Sequence, residues 1–286
     1  MRSTFGFFGL SVASPYRIWG TAIEGRADVV VSEGTATRSG RVAELEIFVP
    51  GLGRLSVVDP NTVEVSVDSP LPRDDAFLIL TSGPAIGLIL HARGRAVLHG
   101  NSVASRGRAA VIVGGSGSGK STLGGCLRRR GWSQLSDGFT VAHSQAESTV
   151  AFAGPPYAKL WPDSLALDAN EPPESEIVPG TQKRVIRVAG AVPTGAVPVG
   201  SVYSLSVDAG ATRTDVVRLP PTQALWELIR NYYLAEYIGR TEAPIIFERC
   251  AAIARSVPVY KLVRPNNLNA LDEVAEAVER TVAASE

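Results

Sequence analysis

Residues 109–130 read AAVIVGGSGSGKSTLGGCLRRR and form the strongest pattern in the chain. Five small or β-branched residues lead into a glycine-rich loop, and a run of helix-forming residues follows the loop. This order predicts a buried strand, a tight loop and a helix. Residues 114–121, which we name the phosphate loop, fit the pattern G-x-x-x-x-G-K-[ST] at every fixed position.

The phosphate loop predicts a nucleotide site that uses ATP and Mg²⁺. Its glycines allow backbone N–H groups to turn toward an anion, Lys120 reaches the β- and γ-phosphates, and Ser121 offers its hydroxyl to Mg²⁺. The start of the following helix adds a positive dipole end. The alternative is a glycine-rich turn that binds nothing. The predicted nucleotide-binding residues are Gly114, Gly115, Ser116, Gly117, Ser118, Gly119, Lys120, Ser121 and Thr122.

The composition is that of an ordinary globular protein of 286 residues, with 45% hydrophobic and 20% charged residues. Lys plus Arg equal Asp plus Glu at 28 each, so charge gives no argument for nucleic acid or an anionic membrane as a partner. No apolar run approaches the length of a membrane-spanning helix. Two cysteines, Cys126 and Cys250, are too few for a disulfide framework. We therefore expect a cytoplasmic protein with no nucleic-acid or membrane partner.

The chain is predicted to divide into a β-rich N-terminal domain at residues 1–92 and an α/β domain at residues 93–286. Short β-branched or aromatic runs separated by turn residues predict the first as a small sheet or sandwich, with strands at 5–12, 27–31, 43–49 and 62–67. The apolar segment 77–91 is predicted to be a linking helix, with Gly83 and Pro84 near its start.

The second domain is predicted to surround the phosphate loop with strands and to end in helices. Gly131 is expected to cap the loop helix, and two short strands are expected around Asp137 and Gly138. Thr222 and Asn267 are predicted as N-caps of the two C-terminal helices. Their apolar stripes are Leu225, Leu228, Ile229, Tyr232 and Tyr233, then Leu268, Leu271, Val274, Ala275 and Val278. The remaining predicted strands lie at 96–98, 101–104, 183–207 and 257–263.

The sequences that flank the phosphate loop read LHGNSVA at residues 98–104 and RGWSQLSD at residues 130–137. Together with the loop between them, they resemble the HPr kinase/phosphorylase catalytic domain. The chain looks most similar to the HPr-kinase-related serine kinases found beside peptide-maturation genes, including kinases of lasso-peptide precursors. The resemblance extends over nearly the whole chain but is specific only across residues 99–137. It implies a P-loop kinase core with a small β-rich N-terminal domain.

The resemblance also implies roles for individual residues. Asp137 matches the first aspartate of the family's Asp-Asp pair, which acts as base on the acceptor serine, and His99 matches a histidine that lies near the phosphates. Gly138 replaces the second aspartate, which in the family helps to place the metal. Asp163 is a candidate replacement ligand, beside Ser121 and Asp137, or else an ordinary loop aspartate.

The chemistry of these residue types supports the same interpretation without the family. Phosphoryl transfer needs in-line positioning, charge neutralisation and a carboxylate near the nucleophile. In a parallel α/β sheet, Asp137 would lie at the carboxyl edge beside the phosphate loop, although an Asp-Gly turn is the plain alternative. His99 is also consistent with a buried core histidine. Lys183 and Arg184 either clamp a phosphate or acidic peptide, or begin a solvated strand.

The leading hypothesis is an ATP-dependent kinase that phosphorylates a serine hydroxyl of a peptide or small protein, such as a ribosomally made precursor peptide. A nucleotide-binding accessory protein without transfer activity is the second hypothesis, and Gly138 is its best support. A small-molecule kinase is the third. A homo-oligomer is compatible with all three.

Overall fold

The N-terminal part of the chain folds into its own sheet. The computed structural model describes residues 3–34, 45–145, 148–166, 175–188, 195–267 and 270–283. Among these, seven strands pair in the order β3-β1-β2-β4-β7-β6-β5. Residues that alternate between buried and exposed positions explain why one face of this sheet packs inward. The strands are β1 (Ser3–Phe7), β2 (Leu10–Ser14), β3 (Thr21–Ala22), β4 (Val29–Glu33), β5 (Leu45–Val49), β6 (Gly53–Asp59) and β7 (Thr62–Val67).

A larger mixed sheet carries the phosphate loop. Its path within the described residues is β11-β9-β10-β17-β13-β12-β8, with β19 added beside β17 and β18 beside β19. A third, small sheet has the order β14-β16-β15. The strands are β8 (Ala96–Leu98), β9 (Gly100–Ser105), β10 (Arg108–Val113), β11 (Ser133–Ser136), β12 (Thr140–Gln145), β13 (Ser148–Phe152), β14 (Tyr157–Leu160), β15 (Ser175–Ile177), β16 (Arg184–Arg187), β17 (Ala196–Asp208), β18 (Asp215–Arg218) and β19 (Val259–Pro265).

Helices connect and cover the sheets, so the chain is a mixed α/β protein. The helix α3 follows the phosphate loop and packs against the last helix, α8. Gly131 adopts the left-handed conformation after α3 with φ of 88°, as its predicted capping role requires. The helices are α1 (Arg73–Ser82), α2 (Pro84–Ala92), α3 (Lys120–Arg129), α4 (Pro162–Ala166), α5 (Pro221–Arg230), α6 (Ala235–Ile238), α7 (Ala243–Ser256) and α8 (Leu271–Ala283).

Two N-terminal predictions need correction. Residues 5–12 are not one strand but a hairpin, because Phe8 and Gly9 have positive φ between β1 and β2. The linking segment 77–91 is not one helix. It belongs to α1 and α2, which meet at Gly83, and Pro84 takes the first position of α2, where its missing N–H costs nothing. Residues 43 and 44 of the predicted strand 43–49 lie outside the described residues.

The predicted start of the first C-terminal helix was also wrong. Pro220 is the N-cap of α5 and Pro221 begins it, so Thr222 lies inside the first turn. The helix ends at Arg230, and Tyr232 instead forms a bridge to Leu98 of the large sheet. For the last helix, α8 is described from Leu271, and residues 268 and 269 between it and Asn267 lie outside the described residues.

The hydrophobic core joins the first sheet to the large one. One cluster of buried side chains extends from Phe5 in β1 to Val259 in β19 and includes both faces of α2. The Phe8 ring lies 4.9 Å from the Phe139 ring, and the Phe8 N–H donates to the Ala153 carbonyl at 2.6 Å. A second cluster packs α3 and α8 on the far side of β10 and β17. Its α8 members include the predicted stripe residues Leu271, Val274, Ala275 and Val278.

The helical segment Arg73–Ala92 is long and apolar enough, by length and composition, to cross a membrane. The sequence prediction that no run approaches this length therefore missed it. Within the fold, 78% of the segment's most apolar window is buried inside the protein, so its hydrophobicity is used in the core.

Candidate functional site

The phosphate loop connects the end of β10 to the start of α3. Parallel β17 and antiparallel β9 flank β10, which is buried except at its first residue. Gly114 has a φ of 152°, and a Cβ there would lie 2.4 Å from the Leu205 carbonyl oxygen of β17. Gly119 adopts the left-handed conformation directly before the helix, with φ of 98°. Only glycine meets both requirements, so the local sequence fixes the path of this loop.

Lys120 folds back over the phosphate loop. Its Nζ donates to the carbonyl oxygens of Gly114 at 2.7 Å and Gly115 at 2.8 Å. Burial is the main cause that lowers the pKa of Lys120 to about 8, although the Asp137 charge opposes it. The ammonium is therefore largely protonated at pH 7 and lies where an incoming phosphate would replace two neutral carbonyl acceptors.

Ser121 and Asp137 meet at the first turn of α3. The Ser121 hydroxyl donates to Asp137 Oδ1 at 2.7 Å, and the Lys159 backbone N–H donates to Asp137 Oδ2 at 2.7 Å. Within the described part of the chain, each carboxylate oxygen thus has one hydrogen-bond partner and retains a further lone pair. The sequence prediction that these two side chains come together agrees with this geometry. Their roles toward metal and acceptor stay predictions.

The sheet brings Asp137 to this edge by a route that differs from the predicted one. A parallel sheet was expected, but β9 lies between β10 and β11 and is antiparallel to both. Two antiparallel steps return β11 to the direction of β10, so both strands end at the same edge. Ser136 directly precedes Asp137, and its hydroxyl shares hydrogen bonds with the hydroxyls of Ser102 and Thr140. These bonds fix the end of β11.

His99 lines a cavity that opens over the phosphate loop, and it does so as a neutral group. Its backbone N–H donates to the Asn231 carbonyl, and its ring packs edge-on against Tyr233. Burial lowers the pKa of His99 to about 4, helped by the charges of Lys120 and Lys183 and opposed by Asp137. At pH 7 the imidazole is therefore neutral, and it offers a hydrogen bond rather than a charge to a phosphate.

A cavity of about 290 Å³ opens over the phosphate loop and is rich in cations. Among the described residues, four cationic side chains line it, against two carboxylates. One of the cations, Arg264, comes from β19 and lies over Gly119, with its Nε donating to the Ser118 carbonyl at 3.1 Å. This excess of positive charge suits a polyanion. The charged lining residues are Lys120, Lys159, Lys183 and Arg264, then Asp137 and Asp163.

The residues predicted to hold Mg²⁺ are only partly brought together. Asp163 is an exposed residue in the first turn of α4, which the Ser164–Thr122 hydroxyl contact of 2.8 Å ties to α3. It lines the cavity beside Ser121 and Asp137. Nowhere in the described chain do three or more His, Cys, Asp or Glu side chains group closely enough to hold a metal. An ion at this site would therefore depend on phosphate oxygens and water as well, which is how Mg²⁺ usually binds.

Comparisons with known proteins do not assign the chain to a family. The sequence matches no protein-family model and no curated protein. Among solved structures, the chain is similar to the Hpr(Ser) kinase/phosphatase from Coxiella burnetii, with a TM-score of 0.34 and 11% sequence identity. The match covers 66% of this chain and 99% of that chain.

Among the cationic residues of the cavity, sequence reasoning missed two and undervalued a third. Arg264 is 146 residues from its partner Ser118, so no local pattern could place it there. Lys159 belongs to an apolar strand and carries no motif of its own. Lys183 was considered for phosphate binding but discounted as a solvated strand start, yet it lines the cavity. Its neighbour Arg184 instead bonds to Ser175 in the small sheet.

Proposed function

We propose that this chain is an ATP-dependent kinase that transfers a γ-phosphoryl group to a serine hydroxyl of a peptide or small protein. The observation that carries the proposal is the Ser121–Asp137 hydrogen bond of 2.7 Å at the mouth of the phosphate loop. Because of this contact, the phosphate loop, a hydroxyl that could bind a metal and a carboxylate all face one cationic cavity. In this interpretation the large sheet is a P-loop kinase core, and the N-terminal sheet is the small β-rich domain that accompanies it.

The nucleotide phosphates would lie on the backbone N–H groups of the phosphate loop and at the start of α3. Lys120 would exchange its two carbonyl acceptors for the β- and γ-phosphate oxygens. Ser121 Oγ and an Asp137 carboxylate oxygen fit Mg²⁺, because both are hard oxygen donors and they already adjoin. The metal would neutralise the charge of the phosphates during transfer.

Asp137 is the residue to which we assign the proton of the acceptor. The serine Oγ forms a bond to the γ-phosphorus as the bond to the β,γ-bridging oxygen breaks. ADP departs with that electron pair, and the serine proton passes to the Asp137 carboxylate. A carboxylate at this place can orient the hydroxyl and accept its proton late in the transfer. Serine as acceptor, and a precursor peptide as its carrier, rest on the resemblance of residues 99–137.

A nucleotide-binding accessory protein is the second candidate, and Gly138 favours it. The position that the related kinases fill with a second carboxylate has no side chain here. Such a protein would keep the loop and Lys120 but would transfer nothing.

Mass spectrometry separates the two candidates. The chain is incubated with Mg·ATP and a serine-bearing precursor peptide, and a phosphoryl mass gain is expected. The variant Asp137→Asn should keep nucleotide affinity and lose transfer by about 10²- to 10⁴-fold, because the proton acceptor is gone. Lys120→Met should lose nucleotide binding itself. Binding that depends on Lys120, without any transfer by the wild type, would favour the accessory protein.

A further inference from the structure

Two lysines of the cavity rest on tryptophan faces. Lys159 Nζ lies 4.3 Å from the centre of the Trp19 ring, and Lys183 Nζ lies 5.2 Å from that of Trp161. For neither ammonium does the described part of the chain show a hydrogen-bond acceptor or an ion-pair partner. An indole face holds a cation less strongly than a phosphate or carboxylate does. Both ammonium groups are therefore positioned but remain available to an anion.

The small sheet places both lysines at the phosphate loop. In the antiparallel pair β14–β16, Leu160 lies opposite Arg184. The next residues outward, Trp161 and Lys183, are therefore cross-strand neighbours, which explains their contact. Lys159 is joined to the loop through its backbone bond to Asp137, which in turn accepts from Ser121.

The charge of Lys183 acts on the residues that meet the phosphates. Burial is the main cause that lowers the pKa values of Lys120, His99 and Lys159, and the Lys183 charge lowers each of them further. Cations are thus crowded together, and a polyanion would relieve both their repulsion and their desolvation. Ser121 marks the end of the loop where the metal and the outer phosphates bind. The contacts of Lys159 through Asp137 therefore point to the outermost phosphate rather than to the nucleoside.

We propose that Lys159 and Lys183 bind the terminal phosphoryl group of the nucleotide, and that Trp19 and Trp161 position their ammonium groups before it arrives. This inference rests on the proposed nucleotide function and adds the determinant that distinguishes ATP from ADP. Lys159 and Lys183 are substrate-binding residues in this scheme, whereas the two tryptophans are positioning residues.

Trp19 gives the N-terminal part of the chain a role in the site. It lies in the segment between β2 and β3 and is 5% exposed. Its backbone N–H donates to Ser82 Oγ of α1 at 3.0 Å, and its ring packs with Val185 of β16 in a small buried cluster. The N-terminal segment is thus fixed against the strands that carry both lysines.

Calorimetric titration with Mg·ATP and Mg·ADP tests the lysines. Lys159→Met and Lys183→Met should each weaken ATP binding by about tenfold or more, because a charge-assisted hydrogen bond is lost, and should weaken ADP binding by less than about threefold. The matched control Arg213→Met removes an exposed charge outside the cavity and should change neither. Equal losses for ATP and ADP, no loss for either, or a raised KM for the acceptor alone would overturn the inference. A wild-type chain that binds neither nucleotide would overturn the proposed function too.

Tryptophan emission tests the positioning role independently of activity. ATP should change the wild-type emission more than ADP does, because the ammonium groups leave the indole faces. Trp19→Phe and Trp161→Phe should each remove part of the change, whereas Trp226→Phe, at an exposed site on α5, should preserve it. Trp19→Leu should weaken ATP binding relative to the wild type. Trp19→Phe keeps an aromatic ring and should therefore bind ATP more tightly than Trp19→Leu does. A full emission change in both Phe variants, or equal affinity in the Leu and Phe variants, would contradict the positioning role.

Discussion

Gly138 is the residue at which the candidate site departs most from the kinases that residues 99–137 resemble. Its φ of 88° lies in the left-handed region, and apart from its own atoms and its chain neighbours no heavy atom of the described residues lies within 4 Å of the place where a Cβ would stand. A side chain therefore has room, at a backbone cost of about 1–2 kcal/mol that Asp and Asn bear better than most residues. A side chain would fit at this position, whereas the glycine present supplies no side-chain oxygen to a metal.

Gly138→Asp should raise the Mg²⁺-dependent transfer rate and lower the Mg²⁺ concentration needed for half-maximal rate, because it restores a second carboxylate beside Asp137. The rate is measured as phosphopeptide formed over a range of Mg²⁺ concentrations. Gly138→Ala controls for backbone strain, and Gly138→Asn controls for size without charge. If the Asp and Asn variants match, another ligand, such as Asp163, already performs this task.

At the scale of residues, the sequence predicts the site where contacts are local and fails where they are distant. Residues 114–121 and Asp137 could be placed because spacing encodes a strand, a loop and a returning strand. Lys159 and Arg264 could not, because their positions depend on how β14 and β19 pack in the folded chain. His99 was placed near the phosphates, but its neutrality follows from burial and from neighbouring cations that the sequence does not reveal.

At the scale of elements, strands were predicted better than helix ends. Strand β7 has the predicted bounds 62–67, because β-branched residues alternate there between turn signals. The break between α1 and α2 and the start of α5 both fall at a proline, and in each case Pro takes the first helical position. Pro84 and Pro221 were the signals for these ends, since N1 is the helix position that tolerates Pro best.

The C-terminal end of α2 carries a buried polar cluster that ties this helix to α7. His91 contacts Tyr232 OH through Nδ1 at 2.8 Å and Glu242 Oε2 through Nε2 at 3.1 Å. Arg249 Nη1 donates to the His91 carbonyl at 2.9 Å. Burial and the Arg249 charge lower the pKa of His91, while Glu242 acts to raise it.

This cluster predicts a loss of stability in mild acid. The folded state binds the His91 proton more weakly than the unfolded state does. The free energy of unfolding therefore keeps its full value above the unfolded pKa of about 6.5, and it falls as the pH drops below that value. The contribution of one histidine has a slope of at most about 1.4 kcal/mol per pH unit. Urea unfolding between pH 7.5 and 5 measures it. His91→Gln should flatten the profile, although His99 and His143, whose pKa values are also lowered, leave a residual slope.

Glu242→Gln provides the opposite control for this pH effect. Removing the group that raises the pKa of His91 should lower that pKa further in the folded state. The loss of unfolding free energy should then continue to lower pH and become larger in total. A profile that is identical in the wild type and in both variants would mean that His91 does not titrate in this range.

At the scale of the whole molecule, the hydrophobic core is continuous across residue 92, where the sequence predicts a domain boundary. Side chains from β1, β2, β4, β5, β6, β7, α2 and the large sheet belong to one buried cluster. Phe8 shows how closely the parts fit, because a Cβ on Gly154 would lie 2.6 Å from the tip of its ring. Sequence patterns predict each sheet from its own residues, whereas the contact between the sheets depends on side chains more than 100 positions apart.

A shared core predicts that the chain unfolds as one cooperative unit. Scanning calorimetry should give a single transition with van't Hoff and calorimetric enthalpies in a ratio of about 1. Phe8→Ala should shift that whole transition to lower temperature, since removing a buried Phe side chain costs about 3–5 kcal/mol. Phe48→Ala, at a position that is 52% exposed on β5, should shift it little. A chain cut to residues 93–286 should show no cooperative transition, because it would expose the part of the large sheet that α2 covers. Two separate transitions, or a cut chain that melts cooperatively and binds ATP, would instead favour two domains that fold independently.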